Sequence, residues 1–260
     1  MKTYKDIPYA PEIKTVKPAS QRLLDIYIPD DAKADTPLYI NFHGGGLENG
    51  SKNDYPTPLC ETIAKTGIAC VSANYRMYID DAKFPDYLYD AAEAVAWCKA
   101  HMCEYIPGFC GKIFVGGESA GAYMSMMLCF DKSYLAKHGI DSDTDIGGYI
   151  HGSAQPTTHF NVLRERGLNN KRVIVDEAAP LYFIERTEYA PMIILTNEDD
   201  IPGRKAQNIL VSETMKHLGV TSPYETRIMP GSHCAYAFAD KKTGVIPLAG
   251  VVCEFIEKYR

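Results

Sequence analysis

The chain has 260 residues, 46% hydrophobic and 23% charged, with a formal net charge of -6. That length provides for a sizeable buried core, and the mild acidity with no long basic run argues against a nucleic-acid partner. The opening stretch "MKTYKDIPYAPEIKTVKP" has no apolar leader run, and no stretch approaches the roughly 18 apolar residues of a membrane span, so neither a secretory signal nor a membrane is expected.

In chain order, "RLLDIYIP" (22–29) alternates with the period of a strand. "PLYINFHGGG" (37–46) is a strand running into a glycine loop, and residues 54–66 suit a helix. "GIACVSANY" (67–75) reads as a buried strand, and 86–103 carries a helical pattern. "KIFVGG" (112–117) is a strand followed by the helix "SAGAYMSMMLCF" (119–130), and "GGYIHGSA" (147–154) is another strand. "PMIILTNEDD" (191–200) is a strand ending in acids, with a helix over 203–219 behind it. "YETRIMPGSH" (224–233) is a strand ending in a turn, and "LAGVVCEFIEKYR" closes the chain as a helix. Strands alternating with helices predict an α/β domain over 1–260, a mostly parallel central sheet with helices on both faces. Residues 154–190 are too long for a plain crossover and predict a small helical insertion over the site, whose Phe160, Leu181 and Tyr182 either line the pocket or, the preferred reading, pack the insertion.

The eight cysteines form no C-x-x-C pair and several lie in apolar runs. They predict free thiols in a reducing cytoplasm and no zinc site.

Ser119 sits in Gly-x-Ser-x-Gly, directly after a buried strand and at the start of a helix. A sharp strand-to-helix turn holds such a serine in a strained conformation, and Gly117, Ala120 and Gly121 relieve crowding around it. The bland alternative is a turn whose serine only caps the helix. A second signal is "HGGG" at 43–46, also after a strand. Acyl transfer develops an oxyanion that needs preorganised donors, and glycine backbone can approach closely enough to supply them. The expected donors are the N–H groups of Gly45, Gly46 and Ala120, with His43 fixing the loop by hydrogen bonding.

A base and an acid should follow, each beyond a strand end. Of seven histidines, His101, His138 and His217 fall on or near solvent-facing helices, His151 at a strand end and His159 in the insertion. His233, in a tight turn after the last strand, is the expected base. Glu198, Asp199 and Asp200 all stand at one strand end, and only one is needed to orient an imidazole.

Together "FHGGG", "GGESAG", "TNEDDIPG" and "PGSHC" resemble a serine esterase of the α/β-hydrolase superfamily, in its acetylesterase, carboxylesterase and hormone-sensitive-lipase-like branch. "RLLDIYIP", "VSANYR" (71–76) and "FPDYLYDAAEAVAWCKAH" (84–101) extend the likeness across residues 20–260. The resemblance implies Ser119 as nucleophile, His233 as base, and Gly45, Gly46 and Ala120 as the oxyanion hole. For the acid, counting back from Gln207 favours Asp200, and counting forward from the strand favours Asp199; Asp200 is preferred. Neither metal nor organic cofactor is implied. Leu47 stands where many relatives carry an aromatic residue, which puts the pocket wall in question, and a large N-terminal cap is not expected. Small relatives of this kind remove acetyl or feruloyl groups from plant carbohydrate fragments, so a small-molecule or oligosaccharide ester is the implied substrate. Two other readings stay open: a peptidase or amidase of the prolyl-oligopeptidase type, and a non-catalytic hydrolase-fold binding protein.

Overall fold

A computed structural model describes residues 1–12, 16–17 and 21–260. The apolar runs become strands of one eight-stranded sheet: β1 (Lys2–Pro8), β2 (Leu23–Ile28), β3 (Leu38–Phe42), β4 (Ala69–Ala73), β5 (Ile113–Glu118), β6 (Ile146–Gly152), β7 (Met192–Asp199) and β8 (Tyr224–Ser232). Their spatial order is β1-β2-β4-β3-β5-β6-β7-β8. The β1–β2 and β2–β4 pairs are antiparallel, and the remaining pairs are parallel. Every residue of β3, β4 and β5 is buried, as expected of parallel strands covered on both faces.

The helices are α1 (Pro56–Ala64), α2 (Asp86–His101), α3 (Ala120–Phe130), α4 (Ser133–Ala136), α5 (Phe160–Glu165), α6 (Arg204–His217) and α7 (Pro247–Tyr259). Alternate strand residues feed two cores. Leu38, Ile40 and Val115 pack with residues of α2, α3 and α6. Tyr39, Cys70 and Phe114 point the other way, toward α1 and α7. All eleven residues of α3 are buried, so this helix is apolar on every side rather than amphipathic.

Some of the predicted stretches brace the fold. Arg76, just past β4, grips the buried Asp90 of α2 through Nε and Nη2 at 2.8 and 2.7 Å. In the loop after the glycines, buried Lys52 reaches Asp25 of β2 at 2.6 Å and Asp6 of β1 at 2.7 Å. All eight cysteines are free thiols. Among the described residues no helix is long and apolar enough to cross a membrane.

The fold departs from the predicted elements in two places. The first strand, β1, was not predicted: "KTYKDIP" is charged and mostly exposed, because an edge strand buries little. The segment 154–190 is mainly irregular, with only six-residue α5 and a short 3-10 turn at Pro180–Phe183. Leu47, where many relatives carry an aromatic residue, is fully buried in the core.

Candidate active site

The site lies at the carboxyl ends of β3, β5, β7 and β8, where loops leave a parallel sheet. Between β5 and α3 the chain turns at Ser119, whose φ of 55° and ψ of -109° are costly for a residue with a Cβ. The turn needs its glycines. A Cβ on Gly121 would stand 1.9 Å from the Phe42 carbonyl oxygen, and one on Gly117 would stand 2.4 Å from it. Only side-chain-free residues let α3 start this close to β3.

The structure brings together Ser119, His233 and Asp200. His233 Nε2 lies 2.9 Å from Ser119 Oγ, and its Nδ1 lies 2.5 Å from Asp200 Oδ1. The second oxygen of Asp200 accepts from the Asn197 N–H and the Thr196 hydroxyl, both at 3.1 Å, and Oδ1 accepts from the Ile201 N–H at 2.8 Å. Burial alone would raise this carboxyl. The hydrogen bonds from His233 and from the Asn197 backbone outweigh it and hold the group well below the usual carboxylate range. Glu198 and Asp199 are exposed.

Asn197 ties the acid loop to the histidine loop. Its Nδ2 donates to the Pro230 carbonyl at 3.1 Å, and its Oδ1 accepts from the Cys234 N–H at 2.8 Å. His233 is therefore held from both sides, through its own ring and through the turn that carries it.

The glycine loop faces Ser119. A Cβ on Gly44 would lie 3.4 Å from Ser119 Cβ. Gly45 and Gly46 adopt φ of 114° and 68°, and both line the cleft. The Gly44 N–H is engaged by the Tyr55 hydroxyl at 2.9 Å. Among the described residues none accepts a hydrogen bond from the N–H of Gly45, Gly46 or Ala120. His43 is buried and donates from Nδ1 to the Gly44 carbonyl at 2.7 Å, stacked on Tyr75 at 4.3 Å. Burial lowers its imidazole to about 4, so it is a neutral prop for the loop at physiological pH. His151 is likewise buried and lowered to about 3, against Ser125 Oγ at 2.8 Å, while His159 caps α5 by accepting from the Asn161 N–H. Neither contacts Ser119.

The cleft has a volume of about 530 Å³. Tyr55, Phe160, Ile201 and Phe238 supply its apolar walls, with the Tyr55 and Phe238 rings 5.2 Å apart. Phe160 thus lines the cleft, the less favoured of the two readings open to it. Tyr182 is 57% exposed, and Leu181 rests against the main core.

Two lining residues went unnoticed in the sequence. Glu118, beside Ser119, is buried and accepts from the Tyr55 hydroxyl at 2.7 Å. Tyr55 in turn accepts from Gly44, so Glu118, Tyr55 and the glycine loop form one chain of hydrogen bonds. Burial raises the Glu118 carboxyl to about 7, with Tyr55 and the Asn41 side chain acting in the opposite sense. A carboxyl raised on folding stabilises the fold at low pH, and that contribution is lost as pH rises from its unfolded value near 4 through about 7. Glu118→Gln removes this loss while keeping an acceptor for Tyr55. In urea titrations the variant should gain on the wild type by roughly 3 kcal/mol between pH 4 and pH 8. A stability difference that stays flat with pH would refute the buried, proton-holding state of Glu118.

The mostly parallel sheet and the strained serine turn are those of an α/β-hydrolase fold. Within it, the chain belongs to the BD-FAE family, whose model matches residues 24–165. It is similar to the probable carboxylic ester hydrolase LipM of Mycobacterium tuberculosis, 32% identical over 233 residues, covering 81% of this chain and 53% of that protein. The tuliposide A-converting enzyme b1 of Tulipa gesneriana is 30% identical over 131 residues, 44% of this chain and 35% of that protein. The chain thus spans about half the length of LipM and less of the plant enzyme. Among solved structures, Thermogutta terrifontis esterase 2 shares the fold with a TM-score of 0.79 at 24% identity, covering 98% of this chain and 94% of that one.

Proposed function

We propose that the protein hydrolyses short-chain carboxylic esters, acetyl or feruloyl groups on plant carbohydrate fragments among them, through an acyl-enzyme on Ser119. The observation that carries this reading is the unbroken chain Ser119–His233–Asp200 at 2.9 and 2.5 Å, facing two glycine amides with no acceptor among the described residues.

In this mechanism His233 Nε2 takes the Ser119 proton as Oγ bonds to the ester carbonyl carbon. The carbonyl oxygen becomes an oxyanion, held by the N–H groups of Gly45, Gly46 and Ala120, each donor worth roughly 3 kcal/mol. As the tetrahedral centre collapses, the C–O bond to the alcohol breaks, and the alcohol leaves with the proton from His233. Water then repeats the cycle: His233 takes its proton as the water oxygen bonds to the acyl carbon, the acyl–Oγ bond breaks, His233 returns the proton to Oγ, and the carboxylic acid is released. Asp200 keeps the Nδ1 proton in place and stabilises the imidazolium. General base catalysis of this kind contributes about 10²–10⁴-fold. None of these steps calls on a metal or an organic cofactor.

The names of the relatives support an ester substrate, and the modest cleft with aromatic walls favours a small or aromatic acyl group over a long chain. The unpaired thiols suit a reducing cytoplasm. A panel of p-nitrophenyl acetate, butyrate and octanoate with methyl ferulate tests the reading. Acetate or butyrate should exceed octanoate at least tenfold in kcat/KM. Preference for octanoate would overturn the acyl-chain assignment. Inertness toward all four, with cleavage of an aminoacyl amide, would favour the peptidase. Failure to react with a fluorophosphonate would leave a non-catalytic binder.

A further inference from the structure

A second cavity of about 560 Å³ adjoins the reactive cleft and shares Phe160 and Ile201 with it as walls. Lys171, Arg172 and Arg204 line this cavity, and no acidic residue does. Arg204 is 6% exposed. It donates to the Ser153 carbonyl at 3.0 Å and to Gln155 Oε1 at 3.2 Å, both uncharged. Asp200 acts on it only at longer range, and its charge is already engaged by His233. A guanidinium withdrawn from water without a counter-charge beside it is an expensive arrangement.

Lys171 and Arg172 are exposed on the same cavity and form no ion pair with a described residue. Arginines elsewhere behave differently: Arg76, Arg166, Arg186 and Arg227 each lie against a carboxylate. In a chain of net charge -6, three cations without such a partner gather at one cavity. A concave site lined by one sign of charge concentrates ligands of the opposite sign. Asn170 and Gln207 add neutral hydrogen-bonding groups to the lining.

We propose that this cavity is a carboxylate subsite, so that the enzyme prefers esters whose acyl or alcohol part bears a carboxylate. The inference rests on the esterase reading above. Ester and carboxylate would lie on either side of the Phe160–Ile201 partition. The carboxylate is recognised in the same way whether it belongs to a dicarboxylic half-ester or to an acidic alcohol.

The variant is Lys171→Ala/Arg172→Ala, which changes only exposed side chains. One arm compares mono-p-nitrophenyl glutarate with p-nitrophenyl valerate, and the other compares 3-acetoxybenzoate with phenyl acetate. For one anionic ester, kcat/KM should fall about tenfold through KM, and 0.5 M salt should weaken the wild type in the same direction. The neutral partner should change less than twofold. The responding arm identifies which side of the ester carries the charge. Equal loss on charged and neutral esters, or no loss on either anion, overturns the subsite. Binding of free glutarate to Ser119→Ala, followed by calorimetry, separates the two readings. Glutarate that binds and is weakened by the double substitution sustains the subsite even if no ester is turned over, and glutarate that does not bind removes it while leaving neutral-ester hydrolysis intact.

Discussion

Ser119→Ala is expected to lower kcat for p-nitrophenyl acetate by on the order of 10⁶, leaving the fold in place. Without Oγ, His233 has no proton to take from the chain and no acyl-enzyme forms. The remaining groups still offer Gly45, Gly46 and Ala120 to a substrate oxygen, so a small rate above solution hydrolysis should persist. The conformation of Ser119 separates reactivity from stability. At φ 55° and ψ -109° the backbone carries strain typical of a functional turn, of order 1–3 kcal/mol. Alanine keeps that strain, so its Tm should match the wild type. Ser119→Gly relieves it, less the extra freedom gained by the unfolded chain, and should melt about 2–4 °C higher while equally inactive. Activity within tenfold of wild type in either variant would remove Ser119 from the mechanism. A glycine variant that melts lower would show that the turn is not strained.

The sequence reveals the central sheet because buried parallel strands appear as uninterrupted apolar runs bounded by glycine, as in "PLYINFHGGG" and "KIFVGGE". The serine turn is legible for a steric reason: only glycine fits at Gly121 against the Phe42 carbonyl. Edge strand β1 leaves no such trace, since its charged residues face solvent and its pairing with β2 is a tertiary fact. Irregular backbone over 154–190 is likewise opaque to periodicity, which is why the sequence does not decide between the cleft and the insertion for Phe160. Glu118 and Tyr55 meet only because β5 and the start of α1 converge on the glycine loop, 63 residues apart in the chain. A glutamate within an otherwise apolar, glycine-rich strand end was the available signal, since such a carboxyl has to find a buried donor. Leu47, the residue after the glycines, has a φ of 64° and is buried in the core, while Phe160 and Phe238 line the cleft.

Asp199 and Asp200 differ in sequence only by position, and their substitutions should differ in effect by orders of magnitude. Asp200→Asn preserves the size of the side chain and an acceptor for the Asn197 N–H. Its amide, turned toward His233, would donate to Nδ1 and so place the imidazole proton on Nε2. That nitrogen could then no longer accept from Ser119, and kcat should fall about 10⁴-fold. Asp199→Asn, on an exposed side chain, should stay within about twofold of wild type by the same physical reasoning. Asp200→Asn should also differ from the wild type in acid. Because the Asp200 carboxyl is held below its unfolded value near 4, its stabilising contribution is present above that pH and is lost as pH falls toward the lower folded value. Wild type should therefore lose stability below about pH 4 more steeply than Asp200→Asn. Measuring kcat/KM on both variants and acid unfolding on Asp200→Asn decides the matter. A large rate loss at Asp199 with little at Asp200 would transfer the acid to the neighbouring residue and require the loop after β7 to rearrange in the working enzyme.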